Sequence, residues 1–395
     1  MIRARCPIAF AAVVLLLWGG PAYAQGLGRV AEEPGAGSDA QKPAAKDPLR
    51  GSTLSIEQSL STQTAGLNPV TQQTYHPYYG FWVSLRPRWY FDDYLRLQAR
   101  LDYFKELTND EQTTYYREDV LGDAWTDLVM ARPLASSGRW RNTKVTLGAR
   151  AVWPLSKQSQ GSGLYFSLGP IAGLSQSIPL AGPGAPALNA ARLALSFVYL
   201  HAFTRATTPT DYGSFATLRE NVDDHSFVSD QISGQTLVGD TLVAIVDSGL
   251  QLTPKLGLTL DLVWIDQWHH SPSSASISTL TGPVAVPRTG DKQFTQLIWD
   301  VLALDYELLD EVALGLGYYN LTNVIASDGE IRSPFAGGQD TTFWSPDARL
   351  FFDVTINLDK VVEDVRGRNR RPAESPHGTA DAARSARISS VTSWR

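Results

Sequence analysis

The residues best suited to chemistry are arginines and aspartates that recur at every second position. The pattern is clearest at 94–104, which reads YLRLQARLDYF and alternates strictly between apolar and polar residues. Side chains alternate faces along a strand, so Arg96, Arg100 and Asp102 share one face. A guanidinium group keeps its charge at any working pH and binds carboxylate or phosphate in a forked geometry. A surface lined by such groups can bind or guide polar and anionic solutes.

The same alternation recurs in segments of about ten residues, which is typical of the strands of a transmembrane β-barrel. The predicted strands are 52–61, 79–91, 94–105, 123–132, 143–153, 163–174, 191–204, 240–252, 256–268, 294–308, 312–321 and 348–358. Alternation alone also fits a soluble β-sandwich, in which the charged face meets water and the apolar face a core. The context of the strands has to separate the two.

The connections between the predicted strands alternate in length, as in an up-and-down barrel with short periplasmic turns and long extracellular loops. The short ones are 92–93, 133–142, 175–190, 253–255 and 309–311. The long ones are 62–78, 106–122, 154–162, 205–239, 269–293 and 322–347. Only 175–190 breaks the rule, as a long segment rich in proline, glycine and alanine. A sandwich has no reason to place every long loop at one end, and an even number of strands puts both chain ends on the periplasmic side.

Aromatic residues gather near the predicted strand ends on the face assigned to lipid. One rim carries Trp89, Phe91 and Tyr94, and the other carries Tyr103, Trp153 and Trp264. Two such girdles mark the two interfaces of a membrane. They favour the all-β, antiparallel, up-and-down transmembrane barrel of about twelve strands over a sandwich with core aromatics.

Four regions are predicted along the chain. Residues 1–24 resemble a secretory signal peptide, with two arginines, an apolar run and an Ala-Tyr-Ala cleavage site. Residues 25–50 are expected to be a flexible periplasmic leader, 51–358 the barrel, and 359–395 a disordered basic periplasmic tail. The single cysteine, Cys6, lies in the signal, so the barrel has to be held by hydrogen bonds and burial. A net charge of −6 argues against nucleic-acid binding.

In these features the chain resembles the outer-membrane β-barrel proteins of Gram-negative bacteria, over residues 52–358. The closing segment 349–358, RLFFDVTINL, is similar to the strand that usually ends those proteins and that the barrel assembly machinery reads. Here it ends on Leu358 and a tail follows, which departs from the pattern. The resemblance implies insertion by that machinery and contact with outer-membrane lipid.

Residue parity assigns the charged side chains that should face the lumen. Early strands contribute basic residues: Arg86, Arg88, Arg96, Arg100, Lys144, Arg150 and Arg192. Late strands contribute acidic residues: Asp240, Asp247, Asp261, Asp300 and Asp353. The two halves of the chain face one another in a closed barrel, which predicts a basic wall opposite an acidic wall and a transverse field between them. The alternative is a sealed barrel in which these charges pair across strands.

The expected function is a channel for diffusion of small polar or anionic solutes, because twelve strands leave room for a pore. The alternative is a non-conducting surface barrel whose long loops bind a ligand or partner.

A remote alternative is a lipid hydrolase. His269 and Ser271 match the His-x-Ser spacing of a membrane-embedded phospholipase with twelve strands, but Pro272 follows where that family has an Asn-Gly pair. Histidines near the outer rim suggest a surface metal site, yet their spacing is not that of a ligand set. No catalytic residue, cofactor or metal is predicted.

Overall fold

The computed structural model describes most of the barrel and parts of its connections. The described residues are 47–62, 64–67, 78–108, 117, 119–135, 137–140, 142–180, 190–207, 218–220, 227–229, 236–271, 276–279, 282–285, 294–325, 331–334, 342–343 and 348–370. The predicted signal, most of the leader, much of the 205–239 loop and the tail beyond 370 lie outside them.

Twelve antiparallel strands, β1 to β12, form one closed barrel in sequential order, with β1 paired to both β2 and β12. Their bounds are β1 Thr53–Ser61, β2 Tyr79–Arg86 continued by Arg88–Tyr90, β3 Leu95–Glu106, β4 Ala124–Pro133, β5 Thr143–Trp153, β6 Leu164–Pro179, β7 Ala190–Thr204, β8 Val238–Gln251, β9 Leu256–His269, β10 Phe294–Leu309, β11 Val312–Asn323 and β12 Arg349–Asn357. The predicted fold class is confirmed, and the sandwich alternative is wrong because one sheet closes on itself.

Pro87 interrupts β2 without shifting its register. Both segments of β2 pair with β3 in one continuous alignment. Proline has no N–H to donate, but its carbonyl oxygen accepts a 3.0 Å hydrogen bond from the backbone N–H of Ala99. The strand therefore stays straight through the proline.

One end of the barrel, here called the turn end, carries the tight connections. Asp92 organises the β2–β3 turn, because its Oδ1 accepts hydrogen bonds of 2.6 and 2.7 Å from the backbone N–H groups of Tyr94 and Leu95. These two donors hold the pKa of Asp92 below its ordinary value. The start of β1 and the end of β12 lie at this end too.

The opposite end, the loop end, carries the long connections. The β5–β6 loop contains a short helix, α1 (Lys157–Gly161), capped by Ser156. Other described pieces of these loops are a strand beside β3 and two small hairpins, at Asp119–Leu121, Leu218–Glu220 with Phe227–Ser229, and Ser276–Thr279 with Gly282–Ala285. The predicted asymmetry between short turns and long loops is present in the fold.

The tail begins with structure that the sequence was not expected to have. Residues Leu358–Arg370 form helix α2 directly after β12. Leu358, Val361, Val362 and Val365 recur at helical spacing, which explains the helix. Among the described residues no helix is both long and apolar enough to cross a membrane.

The outer surface of the barrel is apolar and exposed. Residues that expose more than a third of their surface there include Leu97, Leu128, Leu147, Leu174, Leu193, Phe197, Leu302, Leu316 and Phe352. A closed barrel with such a belt is a membrane-spanning barrel, since lipid is the solvent that this surface suits. The predicted class, an outer-membrane β-barrel, is therefore confirmed.

Candidate functional site: the barrel lumen

The inner face of β2 to β5 carries most of the predicted basic residues, together with their acidic partners. Arg150 and Asp127 face each other across β4 and β5, and Arg150 donates two hydrogen bonds of 2.7 Å to the carboxylate. Arg100 donates from Nε to Asp102, two residues along the same strand, at 2.8 Å. Both pairs are almost fully buried. These ion pairs form because residues two apart on one strand, or directly opposite on adjacent strands, have their side chains on the same face of the sheet.

Trp125 lies between the two buried ion pairs. The Arg100 guanidinium carbon is 4.7 Å from the centre of its ring, and that of Arg150 is 4.3 Å away. Trp82 contacts Arg100 from the neighbouring strand at 5.5 Å. Cations over indole rings are stabilised by the ring quadrupole and hold fixed positions. Arg100 and Arg150 are therefore rigid parts of the wall.

The remaining basic residues of this wall lie nearer the turn end. Arg96 donates to Gln98 at 3.3 Å and lies 5.8 Å from the Tyr90 ring, and no carboxylate of the described residues pairs with it. Arg86 donates to Ser84, and Arg88 is buried beside Ser52. Lys144 is exposed on the inner face of β5, also without a carboxylate partner in the described part of the chain. Together with the two buried ion pairs, these residues are here called the ionic wall, which has eight charged positions: Arg86, Arg88, Arg96, Arg100, Asp102, Asp127, Lys144 and Arg150.

Three of the five predicted acidic residues face the lumen. Asp247 binds Arg192 through both carboxylate oxygens, so this arginine too is paired. Asp261 lies directly opposite Asp247 across β8 and β9, and both are buried. Asp353 lies inward on β12 beside Glu57. The predicted separation into a basic and an acidic wall is replaced by local pairing of opposite charges.

The lumen assignment of Asp240 is wrong. A register shift follows Val238, and Asp240 lies opposite His201 and Trp268 on the outer face. Its carboxylate accepts hydrogen bonds from the Tyr199 hydroxyl and from Nδ1 of His201. The pairing is continuous from Asp240 to Gln251, and Asp240 lies seven residues before Asp247, so the two side chains have opposite parity and cannot both face the lumen.

The lumen assignment of Asp300 is also wrong. The registers of β9, β10 and β11 are continuous there, so Asp300 shares the outer face with Leu302 and lies between Leu262 and Asn320. Asp305 has the opposite parity and faces the lumen, where Thr259 donates to it at 3.3 Å. The loop-end connection covers Asp300, which is why a carboxylate exists on this surface.

A second wall of the lumen was not anticipated. Nine inward-facing residues in the loop-end half of β7 to β10 are apolar and excluded from solvent; Val263 is 0% exposed and Val243 is 3%. These residues form the apolar wall: Val198, Leu200, Val243, Ile245, Val263, Ile265, Leu297, Trp299 and Val301. The available signal was the stretches LVAIV at 242–246 and LVWI at 262–265, in which both faces of a strand are apolar.

The predicted girdle residues all lie on the outer face. Trp89, Phe91 and Tyr94 are exposed at the turn end, and Trp153 is exposed at the loop end. Trp153 donates from Nε1 to Thr126 at 3.0 Å. Tyr103 donates its hydroxyl to Asp119, and Trp264 is half-buried on the outer face of β9, opposite Ile298. Residues of these types at both rims suit the two interfaces of a bilayer.

The histidines do not form a catalytic or metal centre in the described part of the chain. No group of three or more histidine, cysteine, aspartate or glutamate residues is placed there to hold a metal. Both ring nitrogens of His269 are engaged, by the Thr236 carbonyl at 2.8 Å and the Thr295 hydroxyl at 3.2 Å. His269 is thus not arranged to activate Ser271 as a nucleophile.

No protein-family model matches the sequence, and no curated protein matches it. Similar solved structures include an outer-membrane channel from Pseudomonas putida F1, at 9% identity and a TM-score of 0.44, covering 80% of this chain and 99% of that one. The KdgM porin is 8% identical with a TM-score of 0.34, covering 77% and 98%. The NanC porin is 7% identical with a TM-score of 0.37, covering 77% and 98%.

Proposed function

We propose that the protein is an outer-membrane channel for small anionic and polar solutes, with its turn end in the periplasm. The observation that carries the proposal is a pair of basic side chains at the turn-end mouth of the lumen. Arg96 and Lys144 lie there on the inner face without a carboxylate partner in the described part of the chain. An unpartnered cation at a wet mouth attracts anions.

The ion pairs deeper in the ionic wall supply a second, weaker set of contacts. Arg150 and Arg100 already bind carboxylates, so an anion passing them competes with Asp127 and Asp102. Binding that is favourable enough for a solute to enter the pore and weak enough for it to leave suits conduction. The basic residues at the mouth therefore set the preference for anions, and the ion pairs deeper in the ionic wall limit how tightly an anion is bound.

The apolar wall adds a constraint on the solutes. Solutes passing it lose water on that side and gain no hydrogen bond. Small solutes with part of their surface apolar cross such a wall at lower cost than fully hydrated ions. The expected conductance for simple salts is therefore low for a twelve-strand barrel.

A non-conducting surface barrel is the second candidate. It is favoured by the burial of the apolar wall, since side chains such as Val263 would be wetted in an open pore of this strand number. In that case the long loops would carry the function by binding a ligand or partner. A hydrophobic constriction that dewets also blocks ions, so burial alone does not select this candidate.

Planar-bilayer recording of the purified full-length protein tests the proposal. A salt gradient across the bilayer should give a reversal potential on the anion side at low salt. The preference should vanish at high salt, because the screening length falls from about 30 Å at 0.01 M to about 3 Å at 1 M. Heat-modifiable, folded protein that gives no current would favour the surface barrel.

A further inference from the structure

The outer wall is covered over the loop-end half of β10 and β11. Ile298, Asp300 and Asn320 face outward but are all 0% exposed, whereas Leu302 and Leu304 on the same face of β10 are exposed. The strand registers are unbroken between these residues, so a change of face does not explain the burial. Another segment of the chain has to lie over them.

The covering segment belongs to the β11–β12 connection and is here called the outer strap, residues 331–334 and 342–343. Arg332 anchors one part, because its Nη1 donates to the Thr322 hydroxyl at 2.7 Å and its backbone N–H to the Val324 carbonyl at 2.7 Å. Thr342 joins the two parts through a 3.2 Å hydrogen bond from its N–H to the Ser333 carbonyl.

The second part of the strap lies directly on the strands. The Asn320 side-chain amide donates to the Thr342 carbonyl, and the Tyr318 hydroxyl donates to the Phe343 carbonyl. These contacts place Thr342 over the position where Asn320 and Asp300 lie opposite each other on adjacent strands. The Thr342 hydroxyl lies beside the Asp300 carboxylate.

Asp300 is unsatisfied in this position. Among the described residues the Thr342 hydroxyl is the one donor that acts on the carboxylate, and it does not reach hydrogen-bonding geometry with either oxygen. The nearest basic side chain on the strap is that of Arg332, which is engaged by Thr322. Ile298 and Leu262 make the surroundings apolar. An ionised carboxylate cannot persist there without a compensating positive charge.

We propose that Asp300 and Thr342 form a site for one small monovalent cation, such as Na⁺, that fastens the outer strap to the barrel wall. The oxygen donors are the Asp300 carboxylate with the hydroxyl and carbonyl of Thr342, and hard cations prefer such oxygens. A single carboxylate is neutralised by a single positive charge. A divalent ion would leave an uncompensated charge in an apolar pocket. Asn320 is the positioning residue, since its amide holds the Thr342 carbonyl in place.

Trypsin cleavage after Arg332 reports whether the strap is attached. The folded full-length protein in detergent is digested at pH 8 in roughly 150 mM sodium chloride or in choline chloride of equal ionic strength. Because choline is too large for the site, cleavage should be about tenfold slower in sodium, as local opening becomes rarer. Asp300→Asn should abolish the difference, and Thr342→Ala should weaken it.

Asp305→Asn is the matched control, because Asp305 lies on the same strand but faces the lumen. This variant should keep the full sodium effect. Equal cleavage in both salts for the unaltered protein would overturn the site. A sodium effect that survives in Asp300→Asn would also overturn it. Protection that changes with pH between about 7 and 9 but not with sodium would overturn it as well, because the species that neutralises Asp300 would then be a proton.

Discussion

The two walls of the lumen both face away from lipid, but they are built from side chains of different chemistry. The ionic wall of β2 to β5 fixes its charges in short-range pairs and over indole rings, as at Asp127, Arg150 and Trp125. The apolar wall of β7 to β10 has no charge at its loop-end half and is closed to solvent. A sealed barrel needs neither an unpaired cation nor a basic mouth, so Arg96, which has no carboxylate partner in the described part of the chain, points to conduction along the ionic side.

Breaking the buried Asp127–Arg150 pair should have the largest effect. Asp127→Leu leaves the Arg150 guanidinium buried and uncompensated, which should lower the free energy of unfolding by ~3–5 kcal/mol. Urea titration of the folded barrel in detergent micelles measures it. Lys144→Gln on the next strand is the control, since that ammonium is exposed and has no carboxylate partner among the described residues. Equal losses in both variants would show that the pair is not a special element of the ionic wall.

Truncating the apolar wall should have the next largest effect. Ile245→Ala should cost ~2 kcal/mol, the low end for a buried isoleucine, and should raise the single-channel conductance by widening the constriction. Val246→Ala is the control, because Val246 is adjacent but faces outward. Conductance that rises equally in both variants, or in neither, would remove the apolar wall from the conducting path.

Neutralising the basic mouth should change selectivity with little loss of stability. Arg96→Gln should move the reversal potential towards cations at low salt, because a lumen charge without a carboxylate partner is lost. Lys105→Gln removes a charge from the outer face of the same strand, where it pairs with Asp119 at 2.8 Å, and should leave the reversal potential unchanged. A shift in the control alone would place the conducting path elsewhere.

The smallest effect is expected at the turn end, outside both walls. The pKa of Asp92 is lowered in the folded state by two backbone N–H donors, so its contribution to stability is full above the unfolded pKa. That contribution is lost as pH falls through the lower, folded pKa. Asp92→Ala should therefore flatten the decline of the unfolding midpoint below about pH 4. Asp93→Ala serves as the control and should retain the decline.

The strands could be predicted because each carries its own signal. Alternation in segments such as 94–104 and turn residues such as Asp92 act locally, and the predicted bounds agree with the structure to within a few residues at most ends. Inward parity agrees with the strand pairing for Arg96, Arg100 and Arg150.

Two acidic residues were assigned to the wrong face. Asp240 and Asp247 have opposite parity in a continuous register, so parity itself excludes Asp240 from the lumen. Asp300 is covered by the strap, which lies more than thirty residues further along the chain, and the sequence of β10 does not indicate that contact. The apolar wall was missed for a different reason: when both faces of a strand are apolar, as in LVWI at 262–265, parity cannot distinguish the lipid face from the lumen face.

Current block at two adjacent positions of β3 tests the central claim most directly. Gln98 faces the lumen, where its amide donates to Asp127 at 2.8 Å, and Leu97 faces outward and is exposed. Gln98→Cys and Leu97→Cys are each reacted during bilayer recording with a water-soluble, charged thiol reagent; the lone native cysteine, Cys6, lies in the predicted signal peptide. The account predicts that the reagent reduces the current through Gln98→Cys and leaves Leu97→Cys unchanged. Block of Leu97→Cys, or a conducting Gln98→Cys channel whose current the reagent leaves untouched, would contradict the ionic wall as the lining of the pore.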